Sequence, residues 1–191
     1  MVAFRAWTER FLATAPAART ALEAEGVTLA HARRPVMLAM IKTDPQRALA
    51  VTVPAVVRQQ LPSSVLAEIE SRVSGRGDYM MLYATPPPGA ADATCSASRI
   101  AFVGGITYAA HPYGRREAQF AKHGASLHGI ALDRELALHE SPVRILELEE
   151  SETTTGANAI VEAFGRTREF STTSDDLLEI ARKLDLRGGG V

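Results

Sequence analysis

The chain has 191 residues, 46% of them hydrophobic and 23% charged, with a formal net charge of −1 and one cysteine. That length supports one sizeable core or two small ones. The balance of charge leaves no basic footprint for nucleic acid and no polybasic membrane patch, and one cysteine excludes an intrachain disulfide framework.

From the N-terminus, no apolar run approaches the roughly 20 residues that cross a bilayer. The opening MVAFRAWTERFLATAPAARTALEAEG is broken by glutamates and lacks the apolar centre of a secretory signal. Residues 1–72 read as a helical layer. Phe4, Trp7, Phe11 and Leu12 recur on one helical face. AARTALEAEG predicts a second helix stopped by Gly26, and TLAHARRPVMLAMIKTD a third, kinked or begun at Pro35. Short helices follow. Asp44 caps one with Pro45 in its first turn, Pro54 opens another, and Ser63 or Ser64 caps the last.

Residues 73–150 change period. DYMMLYAT, SRIAFVGG, ITYAAHP, SLHGIALD, RELALHE and PVRILELEE alternate approximately as strands, and Gly104-Gly105 signals a hairpin. Five or six such strands predict a small antiparallel β-barrel or curled sheet, giving an α+β fold. ATPPPGAADATCSAS interrupts them as a loop. Over 151–191, SETTTGAN reads as a linker and ANAIVEAFG as a helix ending at Gly165. SDDLLEIARKLDLRGGG follows as a capped helix whose stripe of Leu177, Ile180, Ala181 and Leu184 requires a surface to dock on.

Arg76-Gly77-Asp78 could be an adhesion motif, but glycines flanking Arg76 suit the start of a strand equally well. The expectation is a strand with Tyr79, Met81 and Tyr83 on one face and Met80 and Leu82 on the other. His111, His123 and His128 invite a metal reading, yet no pair has ligand-helix spacing and no second cysteine completes a zinc site. No nucleophile elbow or phosphate-binding glycine loop is present, and Cys95 has no basic neighbour to activate it. No cofactor and no metal are therefore expected. YGRREAQFAKHG offers the candidate binding residues Tyr113, Arg115, Arg116, Phe120 and Lys122, with Leu177, Ile180 and Leu184 as a second docking stripe. LDLRGGGV resembles a ubiquitin-like ending without the β-grasp order that would precede one.

RRPVMLAMIKTDPQRALAVTVPAVVRQQLPSSVLAEIESRVSGRGD, then YGRR and LHGIALDRELALHESPVRILE, resemble N-terminal accessory or leader regions of large secreted bacterial proteins. Some of those continue into gametolysin-like metallopeptidase or other extracellular domains. The resemblance spans residues 25–150 and implies a non-catalytic, partner-binding or pro-segment-like module outside the cytoplasm, with a protein partner or adjoining domain. It carries no catalytic residue onto this chain. Two alternatives stand beside it: a cytoplasmic nucleic-acid-binding barrel using Tyr113 to Lys122, and a small hydrolase or metalloenzyme built on His111, His123 and His128.

Overall fold

The computed structural model describes residues 1–84, 96–146, 159–163 and 166–170. Helix α1 (Val2–Ala13) buries Phe4, Trp7 and Phe11 on the face their spacing predicts. It packs against α2 (Thr20–Thr43), where the first difference from expectation lies: one helix of 24 residues runs through both Gly26 and Pro35. Gly26 is a contact point rather than a stop, because a Cβ there would sit 2.2 Å from Cζ2 of Trp7. The Trp7 indole donates to the Leu22 carbonyl at 3.0 Å, seating the ring over that gap. Pro35 is tolerated because Arg33 and Met37, one on each side, are both buried and hold the helix across the missing hydrogen bond.

Helix α3 (Pro45–Ala50) starts as predicted, with Asp44 accepting from the Arg47 amide at 3.1 Å. Helices α4 (Ala55–Arg58) and α5 (Ser63–Leu66) open after Pro54 and Pro62. Neither Ser63 nor Ser64 caps; the Ser64 hydroxyl instead donates to the Glu23 carboxylate. Val53, Leu61, Val65 and Ile69 complete a helical core with α1 and α2.

Strands β1 (Ser71–Ala84), β2 (Ser96–Val103), β3 (Ile106–Pro112), β4 (Ala121–Leu132) and β5 (Glu135–Leu138) close a barrel in the order β1-β2-β3-β5-β4. The pairs are antiparallel except β3 with β5, which are parallel, so the barrel is mixed rather than wholly antiparallel. A 3-10 turn, Gly114–Ala118, connects β3 to β4. Gly104 and Gly105, with φ of 60° and 78°, form the β2–β3 hairpin. Tyr79, Val103, Tyr108, Leu127, Leu136 and Leu138 fill the interior.

Helices α2 and α3 cover one outer wall, where Met37, Ile41 and Ala48 pack on Ile130, Leu132 and Ala137 of β4 and β5. The helical layer is pinned to the first strand by a buried ion pair. Arg33 holds Glu70, which also accepts from the Thr52 hydroxyl at 2.8 Å and the Val53 amide at 2.9 Å.

Strand β6 (Arg144–Ile145) joins β7 (Ala159–Ala163) and β8 (Arg166–Phe170) in a three-stranded antiparallel sheet. The helix expected over ANAIVEAFG is therefore corrected: Ala159–Ala163 is a strand. Its β-branched Ile160 and Val161 favour extended backbone, and so short a helix is marginal alone. The predicted helix carrying Leu177, Ile180 and Leu184 lies outside the described residues, as do Cys95 and most of the Pro/Ala-rich loop.

Candidate functional site

Arg76-Gly77-Asp78 lies in the middle of β1, not at its start and not on a loop. A Cβ at Gly77 would sit 2.2 Å from the Phe102 carbonyl, so the glycine admits the neighbouring strand. Register shifts between Gly77 and Tyr79, and Asp78 accepts from the Gly124 amide at 2.8 Å. That hydrogen bond holds the Asp78 carboxyl below its ordinary pKa. Tyr79 faces the core, whereas Tyr83 is exposed where the β1–β2 ribbon outruns the barrel.

The basic segment does not present one face. Arg116 is 2% exposed and donates to backbone carbonyls, from Nε to His139 at 2.6 Å and from Nη2 to Ser126 at 2.7 Å. It is a structural cation, so the reading of Arg116 as surface-binding is corrected. Arg115 is exposed, with its backbone amide on Glu140 at 3.2 Å. Tyr113 turns edge-on to His139 at 5.7 Å, and its burial raises the phenol pKa. Lys122 lies opposite Tyr79 in the β1–β4 ladder. Phe120 projects strongly, at 67% exposure, and its carbonyl accepts from the Met81 amide at 2.7 Å.

The histidines are equally dispersed. His111 shares a 2.6 Å hydrogen bond with Glu135, which also holds Lys42 at 2.7 Å. His123 lies 3.5 Å from Asp78, and His31 3.0 Å from Glu68. No group of three metal-ligating side chains occurs among the described residues. His128 and His139 instead stack on each other, 4.6 Å apart.

What the fold does assemble is a bare wall. Alternation and register point Asp78, Met80 and Leu82 of β1, Ile100 and Phe102 of β2, and Thr107 and Ala109 of β3 outward. Phe102 is 45% exposed, and Leu82 is also exposed; Ile106, exposed at the hairpin end, pairs with Val103 and belongs to the other face. Among these outward residues stands one acid, Asp78, and two positions before it on the same face of β1 the exposed Arg76 supplies a cation. Arg99, between Ser98 and Ile100, sends its guanidinium to the Glu117 carbonyl at 3.1 Å. The sequence held a signal for this wall: in SRIAFVGG both alternating sets are apolar, Ala101 and Val103 inward and Ile100 and Phe102 outward. A strand apolar on both faces has two surfaces to cover.

The strand order, with its one parallel pair and a helical turn between β3 and β4, defines a five-stranded Greek-key barrel of the OB type. No protein-family model, no curated protein and no solved structure matches the chain.

Proposed function

We propose that this chain is a non-catalytic accessory module that docks an apolar, weakly charged surface of a partner protein on the β1–β2–β3 wall. The observation that carries this reading is the outward apolar row of Leu82, Met80, Ile100 and Phe102, exposed at both ends, on a wall that the described helices, packed on β4 and β5, leave uncovered. Contiguous apolar surface of this kind marks interaction sites. The resemblance to accessory regions of secreted bacterial proteins supports a place outside the cytoplasm. A second reading takes single-stranded nucleic acid on the same wall, as other OB barrels do, with Phe102 as a stacking platform. Charge weighs against it, because backbone phosphates require several cations, and the exposed Arg76 on this wall stands beside the Asp78 carboxylate.

A photo-crosslinking residue at position 102, with one at exposed Val36 on α2 as control, tests both in the source cells. Crosslinking from 102 to one protein of defined mass, absent from 36 and lost on Leu82→Asp, is expected. Equal crosslinking from both positions overturns the docking reading. Binding of oligo(dT) that weakens steeply with salt overturns it in favour of nucleic acid.

A further inference from the structure

His128 is 3% exposed, on the outer side of β4, and its Nε2 has no hydrogen-bond partner. A buried polar atom left unpaired is costly, and an apolar side chain of similar shape would avoid that cost. The surroundings are built to keep the ring neutral. Its groups, element by element, are these. The 3-10 turn supplies Arg116, with Arg115 and Glu117 exposed beside it; the segment after β5 supplies His139 and Glu140; β6 supplies Arg144; and Arg72 and Arg76 flank its ladder partner Ser74 on β1. Glu140 is engaged by the Arg115 amide. Burial first, then the positive charges of His139, Arg116 and Arg144, push the His128 pKa down to about 3. Burial likewise lowers that of His139.

These same groups fasten the chain after β5 onto the barrel. The His139 amide donates to the His128 carbonyl at 2.9 Å, and its carbonyl accepts from Arg116 at 2.6 Å. His139 Nδ1 accepts from the Ser141 amide at 3.0 Å, and the Ser141 hydroxyl donates to the Val143 carbonyl at 2.9 Å. Val143 is buried, one residue before β6 begins.

We propose that the stacked His128–His139 pair is an acid-sensitive clasp, which holds residues 139–145 on the barrel at neutral pH and releases them, with the start of the second sheet, on acidification. A proton on His128 would place a cation beside Arg116 and Arg144, with only the Ser141 backbone to offset them. Once the segment opens, the ring meets water and takes the proton freely. The open form therefore binds the proton more tightly than the closed form, and acid favours opening. With one proton taken up, the open population grows about tenfold for each pH unit below roughly 6.5, until the closed-state value near 3 is reached.

Hydrogen exchange followed by mass spectrometry, corrected for intrinsic rates, tests this from pH 7 to 4.5. The expected result is exchange in peptides over residues 139–145 rising by tenfold or more per pH unit, while β1–β3 peptides stay protected. In His128→Leu the rise should become markedly shallower, because only His139, whose pKa burial also lowers, is left to take up a proton. An undiminished rise in that variant, or a rise of equal size in every strand, overturns the clasp. Should His128→Leu fail to fold, the imidazole titration of the wild-type protein by NMR decides. Protonation of His128 coinciding with opening supports the clasp, and protonation with the segment still closed refutes it.

Discussion

Two walls of one barrel differ in what covers them. On the β4–β5 wall, Ile130, Leu132 and Ala137 point outward and are roofed by Met37, Ile41 and Ala48 of the helical layer. On the β1–β3 wall, Leu82 and Phe102 point outward in the same pattern and remain in water. Strand chemistry is alike on both; helix coverage is not. A small barrel thus gains stability by adding a helical layer to one wall, and no described helix roofs the other. The helical layer is also what the chain secures most firmly, since the buried Arg33–Glu70 pair stands just before β1.

The comparison breaks first at that pair. Glu70→Ala leaves the Arg33 guanidinium buried without its carboxylate, and losses of this kind run to about 3–5 kcal/mol, measurable by urea unfolding. Replacing both partners with apolar residues (Arg33→Met with Glu70→Leu) should recover much of the loss. The Thr52 hydroxyl and Val53 amide, which also use Glu70, would still lose their acceptor. The pH sign follows the carboxylate. Burial opposes ionisation, but Arg33 and the Val53 and Thr52 donors together hold the Glu70 pKa below its usual value of 4.5. The stability it contributes is present above about 4.5 and lost as pH falls through the lower folded value. Acid unfolding of the Glu70→Ala variant should lack that part of the slope.

On the covered wall, Ile130→Ala opens a cavity beneath Met37 and Ile41, and truncations of this type cost about 2–5 kcal/mol. Gly26→Ala acts one layer further out. Its methyl would overlap the Trp7 ring, an overpacking strain of about 1–3 kcal/mol, from which better helix propensity returns up to about 1 kcal/mol. Thermal unfolding should place Gly26→Ala between Ile130→Ala and any substitution on the bare wall.

The elements were partly readable from sequence, and the bare wall only as a strand apolar on both faces. Periodicity identified α1, the Asp44-Pro45 start, the Gly104-Gly105 hairpin and a small barrel, because each is a local signal. Gly26 misled because the same residue serves a helix stop and a close helix crossing, and only the position of Trp7 distinguishes them. The parallel β3–β5 pair joins strands across the 3-10 turn and all of β4, a closure that no local pattern announces. Among the candidate site residues, Arg115 and Phe120 are on the surface as read, but Arg116 is buried. An arginine bonded to two backbone carbonyls looks, in sequence, like one that awaits a phosphate. Which apolar face stays bare was not legible, because exposure is decided by where the helices settle, and that is set by long-range packing on Ile130 and Ala137.

The smallest expected effect is the sharpest test of the contrast. Phe102→Ser removes an aromatic ring that is nearly half exposed, at a site where the backbone, not the side chain, meets β1 and β3. Surface substitutions of this kind change stability by no more than about 0.5 kcal/mol. The urea midpoint and slope should match the wild type, while crosslinking from a neighbouring outward position, Ile100, should fall sharply. If Phe102→Ser instead costs as much as Ile130→Ala, the β1–β3 wall is buried against another part of this chain in solution. The two walls would then be equivalent, and the docking reading would fail with the contrast that supports it.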